Sequence, residues 1–267
     1  MDPRAAELMP IHAARLALTR SATQKAADPS MGHPRPPSTT HATARTGRAD
    51  LGMLATPALP APLFENARIR ISDLRLPAKA TTTFEHTFPS VRWQVDPGVH
   101  SLGNGPPTQV ADKAVAFMEA GTTWVCRNEG DAESRQIVFE IKQPPRHTEE
   151  EVAALLARAK FSTDVGTELL FENRLCRVWD FYLPPSGGDP GDIHHHCLDY
   201  CFIYVAPGRL LGSHADGTLG LFDSVNGDND VTWFDIPEGA ADDAAFAHGG
   251  VNGYDDRPMR EYLVELK

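Results

Sequence analysis

The sequence predicts an all-β protein made of two tandem β-barrels, with a short linking helix between them and a disordered leader in front. Three observations carry this. A set of landmarks occurs twice in the same order, short apolar–polar alternations bounded by proline and glycine run between them, and a histidine cluster occurs in only one copy. The chain has 267 residues, enough for two compact units of roughly 100 to 150 residues. At 41% hydrophobic and 23% charged residues it holds ample material for a core. Its 36 acidic against 25 basic residues give a formal net charge of -11. That excess serves solubility. A clustered basic surface is missing, which argues against a nucleic-acid partner.

Residues 1–60 differ from the rest. Ala, Ser, Thr and Pro dominate, with prolines at Pro29, Pro34, Pro36, Pro37, Pro57 and Pro60, and only residues 5–18 offer a helical pattern. Such a segment buries too little surface to offset its ordering entropy, so a disordered leader is expected. Scattered arginines and hydroxyl residues suggest organelle targeting, while Asp2, Glu7 and Asp28 oppose it, leaving a cytoplasmic location as the expectation. No secretory h-region is visible, and no apolar run approaches the roughly 18 to 20 residues of a membrane span. Cys126, Cys176, Cys197 and Cys201 form no CxxC pair. They read as free thiols in a reducing compartment, with Cys197 and Cys201 as small buried hydrophobes rather than ligands.

The repeat sets the domain plan. Leu63-Phe64-Glu65-Asn66 recurs as Leu170-Phe171-Glu172-Asn173, Arg70 matches Arg177, and Leu76-Pro77 matches Leu183-Pro184. Asp96-Pro97-Gly98 then falls on Ala206-Pro207-Gly208, Val115–Met118 on Val231–Phe234, and Val138–Lys142 on Leu263–Lys267. Residues 61–146 thus form a first barrel, 147–162 a linking helix and 163–267 a second barrel. Within each copy, Arg68–Leu76 and Arg177–Leu183 alternate as strands with one buried face. Tyr200–Val205 is a continuous apolar strand, and Asp216-Gly217, Asn226-Gly227 and Asn252-Gly253 mark turns. Many short strands at regular spacing indicate a sandwich or closed barrel. The exception is Thr148–Lys160, where Thr148 and Glu151 form a capping box and Val152, Leu155, Leu156 and Ala159 share a helical face.

The chemistry lies in the second copy. In a strand, residues i and i+2 point the same way, so His194 and His196 of Gly191-Asp192-Ile193-His194-His195-His196 can converge on one ion inside the barrel, with His195 outward. Neutral imidazoles suit Fe, Zn, Ni, Cu and Mn alike. Further on, Pro237-Glu238-Gly239 precedes His248-Gly249-Gly250-Val251-Asn252.

These residues resemble the two motifs of the cupin superfamily, and the likeness covers roughly residues 63 to 267. Gly191, His194, His196 and Gly208 fit the first motif; Pro237, Gly239, His248 and Asn252 fit the second. The chain resembles bicupins of unassigned function in particular. The resemblance implies jelly-roll (double-stranded β-helix) barrels and His194, His196 and His248 as metal ligands. Where the family places a glutamate ligand, four residues after the second His, this chain has Tyr200, with Asp199 one residue earlier. Strict alternation puts Tyr200 on the ligand face, and a single β-bulge would put Asp199 there instead. Ligand strength at neutral pH favours Asp199. The stretch between Gly239 and His248 is longer than the family's and acidic, as a lid or barrel mouth would be.

The first copy lacks this equipment. Phe84 stands where His194 should be, His86 matches His196, and no histidine around Trp124–Asn128 matches His248. The expected activity is therefore that of a metal-dependent cupin acting on a small molecule from its second barrel, as a dioxygenase, isomerase, decarboxylase or lyase. Its cofactor would be a divalent transition metal (Fe, Mn, Zn or Ni), with Tyr200 as the catalytic general base. The competing reading is a non-catalytic bicupin for metal storage, ligand binding or dimerisation, and a homodimer is compatible with either. Trp179, Phe181, Phe202 and Tyr204 are expected to face the barrel interior or an interface.

Overall fold

The computed structural model describes residues 60–267, so the leader and its helical stretch at 5–18 lie outside the described residues. Each copy contributes nine strands. In the first they are β1 (Phe64–Glu65), β2 (Ile69–Leu76), β3 (Thr81–Glu85), β4 (Ser90–Gln94), β5 (Gly98–Leu102), β6 (Thr108–Val110), β7 (Val115–Met118), β8 (Thr123–Asn128) and β9 (Ser134–Ile141). Helix α1 (Glu149–Arg158) follows. The second copy runs β10 (Glu168–Glu172), β11 (Cys176–Leu183), β12 (His194–His195), β13 (Asp199–Tyr204) and β14 (Gly208–Ser213). It closes with β15 (Leu219–Asn226), β16 (Val231–Phe234), β17 (Ala247–Asn252) and β18 (Met259–Leu266).

The first copy forms sheets of order β1-β2-β9-β4-β7 and β3-β8-β5-β6, and the second β10-β11-β18-β13-β16 and β12-β17-β14-β15. Adding nine to every label converts one barrel into the other. The fold is two tandem jelly-roll barrels, each with a five-stranded and a four-stranded sheet.

Strand alternation sorts side chains between two cores. In β2, Ile69 and Ile71 face the partner barrel while Leu74 and Leu76 face inward. The two five-stranded sheets pack against each other, joining Val91, Trp93, Ile137 and Phe139 to Val178, Ile203, Tyr262 and Val264 in one cluster. Trp93 stacks on Tyr262 with centroids 3.8 Å apart. Around this core the ion pairs are reciprocal: Arg135 bonds Asp73 of its own barrel and Asp228 of the other, and Arg260 bonds Asp180 of its own and Asp112 of the other.

Duplication extends to single hydrogen bonds. The Asn252 Nδ2 donates to the carbonyls of Leu183, Pro184 and Arg257, and the Asn128 Nδ2 to those of Leu76, Pro77 and Ala132. An asparagine that does this in both copies serves the turn, because only one copy carries the histidines.

The capping box of α1 is present, with the Thr148 hydroxyl accepting from the Glu151 N–H and the Glu151 carboxylate from the Thr148 N–H. Val152 is its buried anchor. All four cysteines are buried free thiols. Among the described residues no helix is long and apolar enough to cross a membrane.

Candidate metal centre

Strand β12 pairs antiparallel with β17 so that His194 lies directly opposite His248. His196 continues on the same face two residues on, fixed by its N–H bonding the Phe246 carbonyl at 3.1 Å. Ligand atoms of His194, His196 and His248 all lie within 4.8 Å of one another. Small ring rotations bring such nitrogens onto one ion, whose bonds to imidazole are about 2.1 Å. His195 faces away from this cluster and is also buried, its Nε2 at 2.8 Å from the Ala240 carbonyl.

That carbonyl comes from the long stretch between Gly239 and His248. It folds into two single 3-10 turns, Ala240–Asp242 and Ala244–Phe246, with Ala240 and Ala241 buried. Asp242 pairs at 3.6 Å with Arg158 at the end of α1. The stretch thereby holds the histidine strand between the linking helix and the barrel.

Burial, and next the neighbouring His195, pushes His194 down to about 4. Its imidazole is neutral at pH 7, with a lone pair to give. Three nitrogen donors with no carboxylate among them suit a first-row transition ion rather than Ca or Mg.

The two candidates for the family's glutamate position separate cleanly. Strand β13 pairs with β18 in unbroken register from Asp199 to Tyr204, so alternation holds. Tyr200 stacks on the His196 ring at 3.9 Å and on Phe234 at 4.7 Å. Asp199 points the other way, where it pairs with Arg68, accepts from Arg146 at 2.5 Å and takes the Ile236 N–H at 2.7 Å. The structure does not bring Asp199 to the imidazoles: no bulge reverses the strand, and two guanidinium groups hold the carboxylate. Cys201 lies in the core between the barrels, and Cys197 donates to the His195 carbonyl.

The walls of the site are aromatic. Phe181 meets His194 edge-on at 6.4 Å, Phe222 meets His248 at 5.6 Å, and Phe202 packs on Phe234. Trp179, Phe181, Phe202 and Tyr204 all belong to the clusters inside the second barrel.

Two interior residues escape the motif. Glu261 and Glu265 alternate with Tyr262 and Val264 on β18, and both are buried at 3% and 0% exposure. Desolvation raises Glu261 to about 7 against the counter-pull of the Tyr204 hydroxyl. Glu265 is also pushed up to about 7 by burial, although Arg177 and Trp179 both donate to it at 2.9 Å. Both carboxylates act on Tyr200, whose phenol burial drives well above its ordinary range. The signal in the sequence was the period of two in Glu261-Tyr262-Leu263-Val264-Glu265.

In the first barrel Phe84 lies opposite Trp124, as His194 lies opposite His248. The pair stacks at 5.6 Å, so two of the three ligand positions hold aromatic rings with no lone pair to offer an ion.

Paired jelly rolls, one of them with a strand-borne His-x-His facing a third histidine, are the arrangement that the sequence resemblance to bicupins implied. No protein-family model matches the chain, and no curated protein sequence does. Among solved structures it is similar to AerE from Microcystis aeruginosa, at 8% identity and a TM-score of 0.48 over 78% of this chain and 97% of that one. It is also similar to a cupin domain protein from Bordetella pertussis Tohama I, at 22% identity and 0.29 over 34% of this chain and 100% of that one. Oxalate decarboxylase from Bacillus subtilis, described with Mn(II) centres, matches at 12% identity and 0.44 over 74% of this chain and 69% of that one.

Proposed function

We propose that His194, His196 and His248 hold one divalent transition metal, and that the second barrel uses it to act on a small molecule as a metal-dependent cupin enzyme. The observation that supports this is the convergence of three imidazoles from two paired strands within 4.8 Å, with aromatic walls around them. A bound ion would supply Lewis acidity, or as iron a route to oxygen chemistry.

The chain's own residues define the rest of the proposal. Phe181, Phe202 and Phe234 exclude water and select a compact, partly apolar substrate. Tyr200 takes the catalytic role as the hydroxyl group beside the triad, held in place by its stacking on His196. Glu261 is the proton reservoir of the interior, because a carboxyl near 7 exchanges its proton readily at neutral pH.

Metal content by mass spectrometry tests the first step. The purified chain, incubated with Fe(II), Mn(II), Zn(II) or Ni(II) and desalted, is expected to keep about one ion, and His194→Ala and His248→Ala to lose it. Variants that retain the metal would overturn the assignment. The second step is read by electron paramagnetic resonance of the Mn(II) form. A shift on adding small carboxylates or enediols shows an open coordination position, whereas an inert spectrum makes the centre a storage site.

A further inference from the structure

The interiors of the two barrels differ in charge. Tyr200 and Ser90 occupy equivalent places, opposite Glu265 and Glu140 respectively, so the position of Phe202 in β13 is that of Arg92 in β4. Arg92 is 6% exposed, with its guanidinium 3.2 Å over the Trp124 ring. It lies among the residues that replace the histidine triad. It enters no ion pair among the described residues, and the one ionisable neighbour that favours its charge is the buried thiol Cys126. Glu140, the buried carboxylate of this barrel, is engaged by Arg70 at 3.3 Å.

The polar atoms around Arg92 lack acceptors. Arg92 Nε and Nη1, Trp124 Nε1 and His86 Nε2 are buried and meet no hydrogen-bond partner among the described residues. His86 Nδ1 lies 2.8 Å from the Ser90 hydroxyl, and with Ser90 donating, Nε2 carries the proton. A buried cation without a counterion is costly, and so is each buried donor without an acceptor. What a cation and N–H donors of this kind lack is an anion with oxygen acceptors.

We propose that the interior of the first barrel binds a small monoanion of the carboxylate class, such as formate or acetate, on the Arg92 guanidinium with His86 and Trp124 as further donors. The charge of the site sets the charge of its ligand. Burial lowers Arg92 to about 9, which leaves it protonated at pH 7. Burial, and then the Arg92 charge, holds His86 down to about 4 and lowers His100 in the same way, so neither adds charge. One fixed positive charge matches one negative charge, and a dianion would leave a buried excess. At the turn joining β8 and β9 a cavity of about 260 Å³ is lined by Asn128 and Ser134, and Ser134 bonds His100 at 2.8 Å. The two rim carboxylates, Asp131 and Glu133, are paired with Lys79 and Arg75.

The test is calorimetric titration of the full chain with sodium formate, acetate and sulfate, with ionic strength held by sodium chloride. Saturable binding of formate and acetate is expected, about tenfold weaker for sulfate. It should vanish in Arg92→Met and persist in His194→Ala, which separates it from the metal reading. Trp124→Phe and His86→Phe, which keep the charge and remove one donor each, should weaken it severalfold. Heats that do not saturate, sulfate binding as tight as acetate, or undiminished affinity in Trp124→Phe and His86→Phe would each overturn the proposal.

Discussion

At the scale of single residues, Asp199 shows how a carboxylate beside a histidine cluster can belong to something else. It is buried and shared by Arg68 and Arg146, which anchor the end of the first barrel and the approach to α1. Removing one partner of a buried charge pair leaves the other uncompensated, at about 3 kcal/mol or more. Asp199→Asn is therefore expected to lower stability by roughly 3 to 5 kcal/mol in urea melts, while metal content stays at the wild-type level. A ligand would show the reverse order of effects. Ligand strength pointed to Asp199, and the period of a regular strand pointed to Tyr200. The period prevails because β13 has no bulge, and the arginines that claim Asp199 are 131 and 53 residues distant in sequence. No local pattern could have announced them. The three histidines, by contrast, were legible: two lie at i and i+2, and the third follows a turn motif.

At the scale of elements, β18 explains why the second interior titrates. Its alternation sends Tyr262, Val264 and Leu266 to the core between the barrels and so sends Glu261 and Glu265 inward. For Glu261 the folded pKa lies above the ordinary 4.5, at about 7, so the folded state holds the proton more tightly than the unfolded chain. Its contribution to stability is then most favourable below about 4.5, declines as pH rises through that window to about 7, and is flat beyond. Glu261→Gln should match the wild type at pH 4 and exceed it at pH 8 by up to about 3 kcal/mol, measured on the metal-stripped chain. Equal stability of the two proteins at both pH values would show that Glu261 is solvated. The turns make a second prediction at this scale. Asn128→Ala and Asn252→Ala each strip one side chain from three carbonyls, and both should cost about 1 to 3 kcal/mol. A cost confined to Asn252, together with loss of metal, would instead give that residue a role at the site. The repeat made strand order legible, since matched landmarks imply matched topology. The 3-10 turns at 240–246 were not legible, because Ala-Ala-Asp-Asp-Ala-Ala has neither periodicity nor a turn signal and its shape comes from packing on His195 and α1.

At the scale of the whole molecule, the barrels are joined by a core rather than by a linker. The five-stranded sheets share Ile69, Ile71, Trp93 and Phe139 with Val178, Ile203, Tyr262 and Val264, and the ion pairs of Arg135 and Arg260 cross the seam reciprocally. Each barrel thus buries on its twin the sheet face that would be apolar surface in isolation, so the first barrel has a structural use whatever its interior binds. A shared core couples the two units thermodynamically. Trp93→Ala removes the side chain stacked on Tyr262 at 3.8 Å, which should cost about 3 to 5 kcal/mol. The loss should appear at both barrels in one transition. The coupling also runs in the other direction. A metal held by the second barrel at 100 times its dissociation constant adds about 2.7 kcal/mol to the folded state. If the core makes the barrels one cooperative unit, hydrogen exchange in β9 of the first barrel should slow by the same factor as in β18 of the second when the metal is added. Protection that rises in β18 alone would mean that the barrels unfold independently and that the seam is only a contact.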